Sequence, residues 1–182
     1  MELTNVVWLG GATGSGKSSI ARALAGRHDL QLYNVDHRTW THSARCADDS
    51  FLALSMDERW LLPSPEQLVA RFVAAAAERL PLILEDVAAL PDVPGAIVEG
   101  PQLIPSLIAP YVAAPDQVLM LVPDQARQRA TVAERGSMRL TSDPEGAAAN
   151  LHRRNALLAE FIASKAEQHG YPLLHVDRDL GT

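Results

Sequence analysis

The stretch GGATGSGKSS at positions 10–19 constrains the fold most, because it places a lysine among glycines and serines directly after the apolar run VVWL. Ordering so many glycines costs backbone entropy, and a segment of this composition cannot pack a core. Gly11, Gly16, Lys17 and Ser18 satisfy the phosphate-binding pattern G-x-x-x-x-G-K-[ST]. VVWL predicts a buried strand and the apolar spacing after Lys17 predicts a helix, which is the context that this pattern requires. The stretch therefore predicts a nucleotide-phosphate site.

Each position of this P-loop has a chemical role. Its glycines let backbone N–H groups turn toward an anion, and the N-terminal end of the following helix adds a positive dipole. Lys17 reaches the β- and γ-phosphates, and the Ser18 hydroxyl can bind Mg²⁺. Gly14 and Gly16 lack the third glycine of a dinucleotide fingerprint, which excludes that class. The predicted nucleotide contacts are Gly11, Ala12, Thr13, Gly14, Ser15, Gly16, Lys17, Ser18 and Ser19.

Composition excludes several other classes of protein. The chain has 182 residues, 47% of them hydrophobic, which suits one core and predicts a single domain over residues 1–182. A net charge of -6 argues against a nucleic-acid partner. Apolar runs are too short for a membrane span, and no basic region precedes the first of them. Cys46 is the only cysteine, which predicts a cytoplasmic protein, and the sequence leaves the oligomeric state open.

Strand patterns alternate with helix patterns along the chain. SPEQ at 64–67 marks a helix start with Ser64 as N-cap, and Asp143 with Pro144 marks another. LILED at 82–86 fits a strand or a helix, and its apolar spacing favours a helix. The alternation predicts a three-layer α/β fold of the P-loop NTPase class, with a five-stranded parallel sheet flanked by helices and a small helical lid. The predicted strands are 6–9, 30–35, 96–99, 118–122 and 172–176.

Further segments follow the P-loop in the order found in small P-loop kinases. They are YNVDH at 33–37, IVEG at 97–100, LVPD at 121–124 before an arginine-rich stretch, and a terminal strand. Over nearly its whole length the chain resembles this superfamily, which includes nucleoside monophosphate kinases, shikimate and gluconate kinases and chloramphenicol phosphotransferase. SMDERW, EGPQLIP and TSDPEGAAANLHRRN are similar, more closely, to an actinobacterial group of AAA-type ATPase- or kinase-like proteins. That closer likeness identifies no substrate.

Two acids are candidates for the chemistry of such a site. Asp36 follows the second predicted strand at the sheet edge where ligands bind, and in the kinases that the chain resembles an acid there binds the acceptor or acts as base. His37 is the adjacent alternative. Glu99, which ends AIVE, is the predicted Walker B-like acid for Mg²⁺ and a predicted substrate contact. Glu85 and Asp86 in LILED are a competing match for the Walker B acid.

An arginine-rich stretch predicts a mobile lid over residues of about 124–145. Guanidinium groups bind phosphate oxygens in pairs and stack on adenine, and a lid would bring them in only on closure. Arg129 and Arg135 are the predicted catalytic arginines, with Arg129 also touching the nucleotide. Arg154 or its neighbour Arg153 is predicted to approach the substrate from the following helix. Arg127 and Arg139 complete the stretch.

Aromatic residues lie where small P-loop kinases place the acceptor, over residues of about 37–90. Trp40 and Trp60 are predicted to contact a flat or partly apolar acceptor, whereas core packing is the expected role of Phe51. His42 and Cys46 lack a second pair of ligands at zinc spacing, so a zinc site is not expected.

These features together favour a kinase that moves the γ-phosphate of ATP to a small-molecule hydroxyl or phosphate acceptor with Mg²⁺. ATP is the expected nucleotide because the Asn-Lys-x-Asp stretch with which GTPases read guanine is absent from the sequence. A nucleoside or nucleotide, a sugar-like metabolite and an antibiotic hydroxyl are the candidate acceptors. Two alternatives remain: a P-loop ATPase whose nucleotide state gates a protein partner, and a non-catalytic nucleotide-binding module.

Overall fold

Five parallel strands form the central layer of the protein within the residues that the structure describes. The structure is a computed structural model and describes residues 2–46, 50–135 and 138–176. The strand order is β2-β3-β1-β4-β5, and every neighbouring pair is parallel. The predicted five-stranded parallel sheet is therefore confirmed. The strands are β1 (Val6–Gly11), β2 (Gln31–Asn34), β3 (Ala96–Glu99), β4 (Val118–Pro123) and β5 (Leu173–Val176).

Helices cover both faces of this sheet. Alternate strand residues such as Trp8, Val98 and Met120 pack with α5 and α8, while their neighbours Leu9 and Ile97 pack with α1. Strand side chains of both faces are thus buried, as a parallel sheet requires, and the predicted three layers are confirmed. The helices are α1 (Lys17–His28), α2 (Val35–Ser43), α3 (Ser50–Ala53), α4 (Met56–Trp60), α5 (Pro65–Ala88), α6 (Pro105–Ile108), α7 (Gln125–Arg135) and α8 (Pro144–Gln168).

The two long helices begin where the sequence predicts. The Ser64 side chain accepts a hydrogen bond from Gln67 N at 3.2 Å, and Gln67 returns one to Ser64 N, which makes a capping box at the start of α5. Asp143 caps α8 through Gly146 N at 3.0 Å. The helix predicted over LILED is confirmed, because α5 continues through it. Glu85 and Asp86 therefore lie on a helix, whereas a Walker B acid is expected at the end of a strand.

One strand boundary differs from the prediction. The strand expected over residues 30–35 ends at Asn34, whose side chain accepts a hydrogen bond from His37 N at 3.0 Å and caps α2. Asp36 consequently lies in the first turn of α2 rather than at the end of a strand. Its carboxylate still lies at the edge of the sheet where the strands end, because α2 begins there.

A tyrosine, an aspartate and a histidine join β2, α2 and α5 beneath this edge. The Tyr33 hydroxyl donates to Asp86 Oδ2 at 2.6 Å, and His42 Nε2 lies 2.9 Å from the same oxygen. Partial burial works to raise the pKa of the Asp86 carboxyl, but the hydrogen bonds from Tyr33 and His42 outweigh it and the pKa lies below its usual value. Burial, and then the bond to this carboxylate, raises the pKa of the Tyr33 hydroxyl.

Asp86→Asn is expected to lower the free energy of unfolding by about 1–3 kcal/mol at pH 7, because charged hydrogen bonds are lost. A carboxyl whose pKa is lowered by folding stabilises the protein above its unfolded pKa, and this stabilisation disappears as the pH falls through the lowered value. The difference between the variant and the wild type should therefore shrink below the usual aspartate pKa of 3.8. Urea unfolding followed from pH 7 to pH 3 measures it.

Glu85→Gln is the matched control for this variant. Its carboxylate pairs with Arg45 at 2.7 Å with both side chains largely exposed, so its loss should change stability much less. A loss of stability in Asp86→Asn that is the same at every pH would contradict the charged role of Asp86.

None of the described helices is long and apolar enough to cross a membrane.

Candidate functional site

The P-loop connects the end of β1 to the start of α1. Gly14 and Gly16 have φ values of 84° and 83°, a region that favours glycine, so the loop can direct backbone N–H groups inward. The loop borders a cleft of about 300 Å³. The residues that line this cleft are Thr13, Gly14, Gly16, Lys17, Ser18, Ser19, Asp36, Pro101 and Arg127.

Lys17 places a positive charge in this cleft beside the P-loop. Its side chain is almost fully buried, and its Nζ donates to Ala12 O at 2.8 Å and to Ser15 Oγ at 3.3 Å. The ammonium group is thus held against the loop at the point where the glycine N–H groups and the start of α1 converge. Concentrated positive potential with unhindered backbone suits the phosphates of a nucleotide.

Asp36 lines the same cleft as the P-loop. The structure brings it and Lys17 into the same 300 Å³ space, as the sequence predicts, although Asp36 arrives from the first turn of a helix. Its Oδ1 accepts a hydrogen bond from Gln102 Nε2 at 3.0 Å. Sequence reasoning missed Gln102. The available signal was a glutamine three residues after Glu99, directly before the apolar segment LIP.

Glu99 ends β3 at the same sheet edge. Its side chain is only 1% exposed, and Asn34 Nδ2 donates to its Oε1. Its backbone is in register with Leu9 of β1 and Asn34 of β2, so it lies one strand away from the P-loop strand. A buried carboxylate with a neutral amide partner keeps oxygen ligands that suit Mg²⁺, as does the Ser18 hydroxyl in the cleft. The oxygens present therefore fit the predicted metal, although Glu99 does not line the cleft itself.

The arginine that reaches the P-loop is Arg127, which sequence analysis placed in the lid without a specific role. Its Nε donates to Gly14 O at 3.1 Å, and its guanidinium lies within 3.3 Å of the position that a Cβ on Gly16 would occupy. Asp124 Oδ1 accepts from Arg127 N at 2.6 Å and caps the first turn of α7. Arg127 is therefore placed to contact a bound nucleotide.

Arg129, which is predicted to touch the nucleotide from the lid, does not line the P-loop cleft. It is exposed and borders a separate groove between α7 and α8, where it donates to Gln125 Oε1 at 3.4 Å. Two residues two positions apart on a helix point in nearly opposite directions, so α7 cannot aim Arg127 and Arg129 at one ligand. Arg135 ends α7, and its side chain lies outside the described part of the structure.

Arg154 is buried between α8 and α5. Its guanidinium stacks on the Phe72 ring at 4.6 Å and its Nη1 donates to Asn155 Oδ1 at 2.8 Å. Its Nε is shielded from solvent and has no partner among the described residues. Burial lowers the pKa of Arg154 to about 10, so the group is still a cation at neutral pH. The structure does not place it in the P-loop cleft.

The two tryptophans predicted to contact the acceptor have other surroundings. Trp40 on α2 is 72% exposed. Trp60 on α4 meets the Phe51 ring edge-on, with ring centroids 5.8 Å apart, and packs against a small apolar cluster. Phe51 therefore has the packing role expected of it, and Trp60 shares it. Neither tryptophan lines the P-loop cleft. The cluster consists of Met138, Ala147, Leu151, Leu61 and Ala148.

Hydrogen bonds reinforce this contact between α4 and the start of α8. Asp57 accepts two bonds from Ser142, from N at 2.8 Å and from Oγ at 2.5 Å. Asn150 Nδ2 donates to the carbonyls that follow α4, most closely to Pro63 O at 2.6 Å. The segment predicted to bind the acceptor is thus tied to the end of the predicted lid.

A metal site built from clustered His, Cys, Asp and Glu does not occur in the part of the chain that the structure describes. His42 contacts Asp86 through Nε2, which lies 2.9 Å from Asp86 Oδ2.

Comparison with known proteins places this geometry in a known fold. No protein-family model and no curated protein sequence matches the chain. Shikimate kinase from Acinetobacter baumannii, solved in complex with shikimate, is similar with a TM-score of 0.53 at 10% identity, over 95% of this chain and 84% of the kinase. TT1252 from Thermus thermophilus is similar with a TM-score of 0.52 at 17% identity, over 96% of this chain and 90% of that protein. The chain therefore has the three-layer P-loop fold that small-molecule kinases such as shikimate kinase share.

Proposed function

We propose that this protein is an ATP-dependent phosphotransferase that uses Mg²⁺ and acts on a small-molecule acceptor. The observation that carries the proposal is that Lys17 and Asp36 line the same cleft, which can therefore take a phosphate and an acceptor side by side. A carboxylate that shares the cleft with the P-loop can hold a metal or act as a base, and the Asp36→Asn variant separates the two roles. A base for an acceptor hydroxyl needs that position.

Each residue of the cleft has a role in this proposal. The P-loop N–H groups and Lys17 bind the phosphates, and Arg127 contacts the nucleotide beside Gly14. Asp36 orients the acceptor hydroxyl and accepts its proton as the oxygen attacks the γ-phosphorus and the bond to the ADP oxygen breaks. Ser18 and Glu99 would hold Mg²⁺, which supplies charge neutralisation at the phosphates when bound. Arg127 takes the place that sequence reasoning gave to Arg129.

Arg154 does not line the cleft, and its contact with the acceptor stays a prediction. A buried guanidinium whose only described hydrogen-bond partner is a neutral amide lacks the counter-charge that buried ions need. The shikimate kinase that this chain is similar to was solved in complex with shikimate, which supports the proposal of a small-molecule acceptor. Trp40 is exposed on α2, the helix that carries Asp36, and its contact with an acceptor stays a prediction. A cytoplasmic location and the absence of nucleic-acid and membrane partners remain predictions.

Asp36→Asn is expected to abolish acceptor-dependent release of ADP, by about 10²–10⁴-fold, while the affinity for ATP stays within about twofold. The amide keeps the size of the side chain but cannot take a proton. A library of hydroxylated and phosphorylated metabolites is screened first for compounds that stimulate ADP release by the wild type. ATP affinity is measured by titration calorimetry in parallel.

Asp116→Asn is the matched control, since Asp116 is an exposed carboxylate next to the opposite edge of the sheet. If Asp36→Asn loses ATP affinity instead, Asp36 belongs to the metal site rather than to the acceptor site. If no compound raises ADP release above the background of an inactive P-loop variant, the kinase proposal fails and an ATPase that gates a protein partner is favoured.

A further inference from the structure

Gln102 is a buried polar residue beside the proposed acceptor site. It is only 6% exposed, and its Nε2 donates to Asp36 Oδ1 at 3.0 Å. The turn after β3 directs it there, since Leu103 N bonds to Gly100 O and Ile104 N bonds to Gln102 O. Gly100 permits the approach, because a Cβ at this position would lie 2.7 Å from Val35 Cβ and 3.0 Å from Gln102 Oε1.

The other end of this amide is unsatisfied. Gln102 Oε1 is shielded from solvent and has no hydrogen-bond partner among the described residues. A buried carbonyl oxygen without a partner destabilises a fold, and a methionine or leucine of similar size would fill the space without that cost. The one described hydrogen bond of this side chain is the bond to Asp36. A purely structural role therefore does not account for an amide at this place.

We propose that Gln102 is a positioning residue that fixes the orientation of the Asp36 carboxylate. The proposal rests on the proposed function, in which Asp36 is the base. With Oδ1 held by the Gln102 N–H, Oδ2 is the oxygen that faces the acceptor hydroxyl and takes its proton. An amide N–H donates but cannot accept, so it orients the carboxylate without competing for that proton.

Gln102→Met tests the proposal against a role in folding. Acceptor-dependent kcat should fall about tenfold to a hundredfold because a misplaced base is inefficient, while the ATP affinity stays within about twofold. The Tm should stay the same or rise, because the unsatisfied oxygen is removed together with the bond. Gln102→Asn, which is shorter by one methylene and cannot reach Asp36, should lose turnover similarly and serves if the methionine variant does not fold.

The decisive comparison uses the Asp36→Asn background. If Gln102 acts through Asp36, adding Gln102→Met to Asp36→Asn causes no further loss of turnover. Gln117→Met is the matched control: Gln117 Nε2 donates to the carbonyls of Leu3, Thr4 and Val6, far from the cleft, so its loss should lower the Tm and leave kcat unchanged.

Three results would overturn the inference. They are wild-type kcat in Gln102→Met, a loss of ATP affinity as large as the loss of turnover, and an undiminished effect in the Asp36→Asn background. If the wild type shows no acceptor-dependent turnover, the proposed function and this inference fail together. If Gln102 alone is misassigned, the wild type still shows that turnover, so the two failures are distinguishable.

Discussion

Lys17→Ala is expected to lower nucleotide turnover by about 10²–10³-fold, because it removes the lysine that is proposed to bind the phosphates. The structure supports an effect of this size, since Lys17 is almost fully buried and its Nζ lies against the P-loop. ADP release under saturating ATP, with nucleotide affinity measured in parallel, separates the loss of turnover from the loss of binding.

Lys165→Ala is the natural control for this experiment, because Lys17 and Lys165 are the only lysines of the chain. Lys165 lies in the last turn of α8 and donates to Gln168 Oε1, away from the cleft. Its replacement should leave turnover unchanged. If Lys17→Ala turns over nucleotide as fast as the wild type, the P-loop is not the site of nucleotide chemistry. Every role proposed for the cleft would then be wrong.

Gly11→Ala is expected to lower the free energy of unfolding by about 3 kcal/mol or more, from overpacking and backbone strain together. A Cβ at Gly11 would lie 2.1 Å from Leu121 O and 2.6 Å from Leu121 N, and these are backbone atoms of β4 that cannot turn aside. The φ of Gly11 is also 130°, where a side chain is strained. A fall in Tm of about 10 °C should be measured by calorimetry.

Gly26→Ala is the matched control for this substitution. Gly26 lies within α1, and a Cβ there meets nothing within 4 Å. Alanine should therefore stabilise the helix by about 1 kcal/mol. If Gly11→Ala melts as the wild type does, β1 and β4 do not approach as closely as described. Gly11, predicted as a nucleotide contact, is thus also required by the packing of two strands.

Patterns that depend on near neighbours in the chain predicted the structure well. The P-loop, the capping box at Ser64 and the alternation of strands with helices are local, because each is fixed by residues within one turn or one strand. Secondary structure favours Glu99 over Glu85 and Asp86 as the Walker B-like acid, since Glu99 alone of the three ends a strand. Asp36 was also predicted correctly as a residue of the cleft, although it lies in the first turn of α2 rather than at the end of a strand.

Relations between distant segments were harder to predict. Which arginine faces the P-loop depends on the rotation of α7 about its axis, and a cluster of arginines does not reveal that rotation. Trp60 packs against residues of α8 that are distant from it in sequence. The sequence pattern around Trp60 therefore could not distinguish packing from contact with an acceptor. The pairing of Gln102 with Asp36 joins residues 66 positions apart and has no local signature.

Trp60 is an intrinsic fluorescent probe of the contact between α4 and the start of α8. Trp60 lies within it, whereas Trp8 is fully buried in the sheet and Trp40 is exposed. If Met138 moved away from α4, the surroundings of the Trp60 indole would change. Those of Trp8 and Trp40 would stay the same. The emission of this protein therefore carries a signal from the contact itself, without any attached dye.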